Sequence, residues 1–173
     1  MELATAINLI RDGLPAVQTP QHWADLGAGS GLFTQALARL LPVGSSVQAI
    51  DQHKNSLDSI RWLYADVSLM RTQADFTTFE FSETKDGFII ANALHYIQNQ
   101  QIQLSRLKKY LTPVGPIIIV EYETDTPNQW VPYPITFRRL ESVAINAGFS
   151  VVTKVGTVSS AYHSRGMYAA VLR

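Results

Sequence analysis

Three glycines at alternate positions directly follow an acidic residue, and this segment limits the possible folds more than any other part of the chain. It reads Asp25-Leu26-Gly27-Ala28-Gly29-Ser30-Gly31, and a helix-like spacing of leucine and alanine begins at Leu32. Glycine permits a positive φ and lets a ligand lie almost against the backbone. A strand, a glycine turn and a helix N-terminus together form a nucleotide-type pocket at the carboxyl end of a sheet. The segment therefore predicts an α/β fold with such a pocket.

Strand-like and helix-like stretches alternate along the rest of the chain. The predicted strands cover residues 23–26, 47–50, 60–64, 87–91 and 117–122, and the predicted helices cover 32–41, 100–111 and 135–147. Two further strand-like runs, 149–155 and 167–172, have no helix between them and so are expected to pair antiparallel. This alternation predicts a doubly wound, mostly parallel seven-stranded sheet with an antiparallel final strand and helices on both faces.

Composition narrows the classes of protein and partner. The length of 173 residues suits one domain with a single core. Fourteen basic and fourteen acidic residues balance, so no net charge attracts nucleic acid or an anionic membrane. The absence of cysteine excludes disulfides and thiolate metal sites. No signal-peptide pattern occurs in residues 1–14, and the apolar run 116–120 is too short to span a bilayer. We therefore expect a cytoplasmic protein.

The glycine spacing separates this loop from two common nucleotide-binding loops. A dinucleotide-binding G-x-G-x-x-G loop would need glycine at position 32, where the chain has leucine. A P-loop would need Gly-Lys-Ser/Thr, which does not follow. Asp25 would repel a pyrophosphate, whereas it would attract an ammonium or sulfonium group. The loop therefore favours a cationic ligand.

The glycine segment resembles the first motif of class I S-adenosylmethionine-dependent methyltransferases, an acidic residue followed by x-G-x-G-x-G. Four further stretches resemble later motifs of that family in the same order: 47–51, 65–67, 86–97 and 111–122. The resemblance is to the small single-domain members of the type 11 and domain 25 groups. It implies one methyltransferase domain over residues 1–173, with an N-terminal helix within residues 1–20 covering the edge of the cofactor.

The resemblance also implies a methyl donor, S-adenosyl-L-methionine, with S-adenosyl-L-homocysteine as product and no metal. The acidic residue after the second strand, Asp51, would bind the ribose hydroxyls, and Asp66 would accept from the adenine amino group. The other implied cofactor contacts are Asp25, Gly27, Ala28, Gly29, Gly31, Gln52, Val67 and Asn92. Asp25 could instead shape the loop or cap a helix, and Asp66 could simply cap the segment after it. Only fifteen residues separate Asp51 from Asp66, so the helix between the second and third strands must be very short.

Candidate acceptor-side residues follow the fourth and fifth predicted strands. His95 is a candidate general base, with a structural role as its alternative, and Glu121 is a second candidate base. Tyr96 and Tyr122 are candidate substrate contacts. Three prolines stiffen residues 127–134, so Trp130 and Tyr133 are either walls of a pocket or aromatic residues of a rigid connector. The remaining histidines, His22, His53 and His163, lack metal-ligand spacing.

These features predict a methyltransferase that acts on a small-molecule acceptor at an open site. The alternative is a protein or partner subunit that binds S-adenosylmethionine or S-adenosylhomocysteine without transferring the methyl group. A nucleic-acid acceptor is disfavoured by the zero net charge, and a membrane partner is not expected. The sequence leaves open whether a second subunit completes the pocket, as in a homodimer.

Overall fold

The computed structural model describes residues 1–159 and 166–173. Within these residues, seven strands form one sheet in the order β3-β2-β1-β4-β5-β7-β6, in which β7 runs antiparallel to the other six strands. The strands are β1 His22–Leu26, β2 Ser46–Asp51, β3 Ser68–Gln73, β4 Gly87–Ala91, β5 Ile117–Tyr122, β6 Val152–Val158 and β7 Met167–Leu172. The mostly parallel, doubly wound sheet predicted from the sequence is confirmed.

In the described part of the chain, five α-helices cover the two faces of this sheet. They are α1 Leu3–Ile10, α2 Leu32–Leu40, α3 Lys54–Asp58, α4 Gln100–Lys108 and α5 Phe137–Asn146. Alternate residues of the central strands are buried on opposite faces, as the period of two requires. Ile89 and Ile118 pack with α1 and α2, whereas their neighbours in sequence pack with α4 and α5 on the other face. The short α3 agrees with the short interval after Asp51.

The predicted third strand is the one element assigned to the wrong residues. Residues 60–64 form an irregular segment, in which Ile60 is buried and Trp62 donates from Nε1 to the Val67 carbonyl at 2.9 Å. The strand itself begins at Ser68 and pairs in parallel with β2. The apolar residues of 60–64 are there because they pack around α3 and beside α2, and not because they lie in the sheet.

The N-terminal helix packs on a face of the sheet. It packs on α2, β6 and β7, and its buried residues are Ala6, Leu9 and Ile10. A single 3-10 turn, Arg11–Gly13, follows it. The apolar face of this helix is therefore used in the core, and its covering of the cofactor edge stays a prediction.

Candidate functional site

The glycine loop joins β1 to α2 at the carboxyl edge of the sheet. The backbone N–H groups of Gly27 and Ala28 both donate to the Ile50 carbonyl, at 2.9 and 3.0 Å. Gly27 and Gly29 have φ of 76° and 52°. A Cβ on Gly27 would lie 2.6 Å from the Ala93 Cβ, whereas a Cβ on Gly29 would meet nothing within 4 Å. Gly27 therefore permits close packing, and Gly29 leaves open space beside the backbone.

Asp25 lies beneath this loop and not in it. Its side chain is buried, and Oδ2 accepts a hydrogen bond from the Thr34 hydroxyl of α2 at 2.6 Å. Burial raises the pKa of Asp25 from 3.8 to about 7; the Thr34 hydrogen bond opposes the increase and the nearby charge of Asp51 adds to it. Of the two roles expected for Asp25, the geometry favours shaping the loop over direct contact with a ligand.

Asp51, at the end of β2, connects the glycine loop to the following turn. Its Oδ2 accepts from the Gly29 N–H at 2.8 Å, and its Oδ1 accepts from the His53 N–H at 2.8 Å. The His53 ring nitrogen Nδ1 lies 3.1 Å from the same Oδ1. The carboxylate is thus held by two backbone donors at the position where the second strand ends.

The loop after β3 brings Asp75 and Phe76 to the same edge, and sequence reasoning missed both residues. Asp75 Oδ1 accepts from the backbone N–H and the hydroxyl of Thr77, at 2.8 and 2.7 Å. Arg106 of α4 donates to the carbonyls of Phe76 and Phe79 and so fixes the loop from outside. The signal that could have found them was the interval after Asp51, which is 24 residues to Asp75 and only fifteen to Asp66.

The assignment of Asp66 and Val67 to the adenine is therefore corrected. Both residues precede β3, at the amino end of the sheet and opposite the glycine loop. Asp66 is exposed, and its carbonyl accepts from the Gly44 N–H at 2.7 Å. Val67 is buried in the core. Neither residue can reach a ligand at the carboxyl edge.

A cavity of about 560 Å³ lies at this edge, and we call it the donor cavity. Five of the predicted cofactor contacts line this cavity: Gly27, Gly29, Asp51, Gln52 and Asn92. The others include His53, Asp75, Phe76, Ala93, Tyr96 and Ile97. Ala28 and Gly31 shape the loop without lining the cavity: Gly31 donates to the Ala28 carbonyl and precedes α2.

Asn92 has an unusual backbone and an unusual side chain. Its φ is 52°, and among the described residues no other non-glycine residue has a positive φ. Asparagine tolerates this left-handed conformation better than most residues do. Its buried Oδ1 has no hydrogen-bond partner within residues 1–159 and 166–173. A buried acceptor without a donor is costly, so Asn92 presents an acceptor that a bound ligand could use.

His95 and Glu121 form a buried pair at the ends of β4 and β5. His95 Nδ1 lies 2.6 Å from Glu121 Oε2, and the His95 backbone N–H donates to Oε1 at 3.1 Å. The side chains are only 2% and 1% exposed. Both predicted catalytic residues are thus brought together, and both carboxylate oxygens of Glu121 are engaged by His95.

A second cavity of about 480 Å³, which we call the acceptor cavity, lies beside this pair. Its lining residues are Asn92, His95, Tyr96, Tyr122, Asn128, Trp130 and Val131. The donor and acceptor cavities share Asn92 and Tyr96. The two cavities therefore meet at the end of β4.

Asn128 holds the outer wall of the acceptor cavity, and sequence reasoning missed it. Its Oδ1 accepts from the backbone N–H groups of Trp130 and Val131, at 2.8 and 3.0 Å. This turn places Trp130, which is 70% exposed, at the cavity. An asparagine two residues before an aromatic residue in a proline-rich segment is the signal that could have found it.

Tyr133 was also predicted as a wall, but its side chain is not among those lining the acceptor cavity. Its backbone is used instead. The Tyr133 N–H donates to the His95 carbonyl at 2.9 Å, and the Tyr133 carbonyl accepts from Gln100 Nε2 at 2.9 Å. The proline-rich segment is thereby fastened to the 3-10 turn Leu94–Tyr96, which carries His95.

Neither a metal site nor a membrane-spanning helix was found in the described residues. They contain no group of three or more His, Asp or Glu side chains that could hold a metal ion. None of the helices described there is long and apolar enough to cross a bilayer. His163 lies outside the described residues.

Comparison with known proteins identifies the family. Residues 24–115, more than half of the chain, match the methyltransferase domain family. An uncharacterized methyltransferase of Mycobacterium tuberculosis is 32% identical over 101 residues, which are 58% of this chain and 50% of the relative. The matched region thus spans about half the length of the curated relatives.

Solved structures agree in fold. A SAM-dependent methyltransferase from Leishmania major superposes with a TM-score of 0.75 at 16% identity, over 99% of this chain and 72% of that one. A putative methyltransferase of Haloferax volcanii, solved with the methyltransferase activator Trm112, gives 0.73 at 15% identity over 98% and 89%. The strand order, the glycine loop and the matched residues lead to one assignment: this chain belongs to the methyltransferase domain family of class I S-adenosylmethionine-dependent methyltransferases.

Proposed function

We propose that this protein transfers a methyl group from S-adenosylmethionine to a small-molecule acceptor. The observation that supports this most directly is the meeting of the donor cavity and the acceptor cavity at Asn92 and Tyr96. A binding protein needs only the first cavity. A transferase needs a second one that opens onto the first, and a proton acceptor beside it if the acceptor atom carries a proton.

The residues of the donor cavity fit S-adenosylmethionine. Asp51 is a carboxylate at the end of β2 with lone pairs left for the ribose hydroxyls. The open space at Gly29 lets the ligand approach the backbone. The unpartnered Oδ1 of Asn92 would accept a hydrogen bond from the ammonium group. Phe76 and Asp75 would replace Asp66 as the residues beside the adenine.

S-adenosylmethionine supplies a sulfonium methyl group when it is bound. The chain's part in the reaction is largely to align the acceptor atom, since holding reactants about 3–3.5 Å apart in the correct orientation supplies much of the acceleration. The fixed 3-10 turn and the proline-rich segment fastened to it provide that alignment. Little further machinery is required if the acceptor atom carries no proton.

His95 removes the proton when the acceptor has one. Glu121 does not line the acceptor cavity and engages His95 Nδ1, so the ring nitrogen available to the cavity is Nε2. The carboxylate keeps the proton of neutral His95 on Nδ1 and stabilises the charged ring once Nε2 has accepted a second proton. Glu121 is therefore a positioning residue.

The experiment that tests this proposal is a donor-consumption assay over pooled metabolites. It measures S-adenosylhomocysteine for the wild type, His95→Asn and Glu121→Gln, with His22→Asn as the control. His22 is an exposed histidine at the start of β1 that bonds Ser46 and lies away from both cavities. We expect the His95 and Glu121 variants to lose about 100-fold in rate with a proton-bearing acceptor and to keep their affinity for S-adenosylmethionine. Binding of S-adenosylmethionine without product from any pool would contradict the proposal and favour a binding protein.

A further inference from the structure

The acceptor cavity is walled by aromatic rings. Tyr96, Tyr122 and Trp130 line it together with the imidazole of His95. The Tyr96 ring centroid lies 4.4 Å from that of His95 and the Tyr122 centroid 6.1 Å from it. The three rings thus form one aromatic cluster, and aromatic side chains that line a cavity favour a flat ring stacked or tilted against them. At about 480 Å³ the cavity is the size of a site for a molecule of one or two rings.

Among the residues that the structure describes, none that lines the cavity carries a fixed charge for a charged acceptor. Apart from His95, the described residues that line it include no acidic or basic side chain. Glu121 cannot serve, because it is 1% exposed and both of its oxygens are engaged by His95. A carboxylate or phosphate would therefore lack a cation, and an ammonium group would lack an anion. An ammonium group would also be repelled by the sulfonium of the donor.

His95 distinguishes between kinds of neutral acceptor. A histidine accepts a proton readily near neutral pH. A phenolic hydroxyl, like that of tyrosine, has a pKa of about 10, whereas an aliphatic hydroxyl resembles water and is a far weaker acid. Proton transfer to imidazole is accordingly far less unfavourable from a phenol. The developing phenolate is also attracted by the sulfonium.

We propose that the acceptor is an uncharged hydroxyaromatic compound of one or two rings, which is methylated on its phenolic oxygen. This inference rests on the proposed function. In the step, the phenolic oxygen forms a bond to the methyl carbon while the carbon–sulfur bond breaks and its electron pair goes to sulfur. The phenolic proton goes to His95 Nε2 and then to solvent. The products are an aryl methyl ether and S-adenosylhomocysteine.

The test uses four acceptors of matched shape: 4-ethylphenol, 4-ethylbenzylamine, 4-ethylbenzoate and 4-ethylcyclohexanol. Calorimetry first establishes that the preparation binds S-adenosylmethionine. Binding of each compound to the protein saturated with S-adenosylhomocysteine is then measured by calorimetry, and methyl transfer is measured by product formation. We expect the phenol to bind and to give a kcat/KM at least tenfold above each of the other three. In Trp130→Leu, KM for the phenol should rise about threefold with kcat nearly unchanged.

The outcomes separate the two proposals. If S-adenosylmethionine does not bind, the proposed function fails, and this inference fails with it. If the donor binds and the amine, the carboxylate or the cyclohexanol is methylated as well as the phenol, only the inference is overturned. Absence of both binding and turnover of the phenol, in a preparation that binds the donor, also overturns it. Selective methylation of the phenol on oxygen supports it.

Discussion

The donor cavity and the acceptor cavity are neighbours, but they are held in place by different means. The donor cavity is shaped by backbone: Gly27 and Gly29 turn the chain, and main-chain N–H groups bind the Ile50 carbonyl and the Asp51 carboxylate. The acceptor cavity is shaped by side chains, above all Tyr96 and Trp130, which are 57% and 70% exposed. We call the backbone turn around Gly27 and Gly29 the cradle, and such a turn tolerates little change. The exposed aromatic side chains of the acceptor cavity, in contrast, can be replaced without loss of the fold.

The largest expected effect comes from adding one methyl group to the cradle. Gly27→Ala should lower the free energy of unfolding by about 3 kcal/mol, because the new Cβ meets the Ala93 Cβ at 2.6 Å in a left-handed backbone. Gly29→Ala is the matched variant, since it carries only the backbone strain of about 1 kcal/mol. Urea denaturation of both proteins measures the difference. Equal losses would show that the close packing at Gly27 has no part in the cradle.

The next effect concerns donor affinity. Asp51→Ala should weaken S-adenosylmethionine binding about 30-fold, or about 2 kcal/mol, because it removes the ribose acceptor and releases the Gly29 N–H. Asp66→Ala is the control, since Asp66 is exposed at the opposite end of the sheet. Isothermal calorimetry compares them. A loss with Asp66→Ala that equals the loss with Asp51→Ala would restore the sequence-based assignment.

The ionisation of Asp25 makes the stability of the folded protein depend on pH. Because its pKa is raised to about 7 in the folded protein and is 3.8 ordinarily, the folded state binds the proton more tightly than the unfolded state. This contribution to stability is complete below pH 3.8, falls steadily as pH rises between the two values, and is gone once pH has passed through 7. Between pH 6 and pH 8 the free energy of unfolding of the wild type should fall by about 1 kcal/mol more than that of Asp25→Asn. Denaturation at both pH values measures it, and parallel pH profiles would contradict the buried position of the carboxyl group.

The smallest effect lies on the acceptor side. Trp130→Leu should raise the acceptor KM about threefold, because one exposed aromatic wall is lost, and leave both stability and donor affinity unchanged. Tyr133→Leu should leave KM unchanged, because only the Tyr133 backbone is fastened to the site. Steady-state kinetics with one acceptor distinguish the two. An increase in KM with Tyr133→Leu alone would show that the side chain of Tyr133, and not that of Trp130, contacts the acceptor.

The same contrast explains which parts of the fold could be predicted from the sequence. The bounds of β4, β5 and β7 match the predictions because these strands are buried on both faces and are therefore almost continuously apolar. The edge strand β3 was missed because it is largely exposed and carries polar residues such as Arg71 and Gln73. The apolar segment 60–64 was mistaken for a strand, although it packs beside helices.

The candidate site follows the same rule. The position of the glycine loop and Asp51 at the carboxyl edge of the sheet was predictable, because consecutive residues shape the backbone there and their spacing is visible in the sequence. Asp75 was missed because it follows β3, the strand that was assigned to the wrong residues. The wall at Trp130 depends on Asn128, whose side chain bonds two backbone N–H groups, and the pairing of His95 with Glu121 joins two strands. Contacts between side chains that are distant in sequence leave no periodic pattern.

Calorimetric titration of the wild-type protein with S-adenosylmethionine, and separately with a nicotinamide dinucleotide, tests most directly whether the glycine loop and Asp51 form a site for an adenosyl donor. We expect one equivalent of S-adenosylmethionine to bind and the dinucleotide to give no binding heat, because the loop has Leu32 where a dinucleotide-binding loop needs glycine. No binding of S-adenosylmethionine, or equal binding of the dinucleotide, would contradict this account of the site.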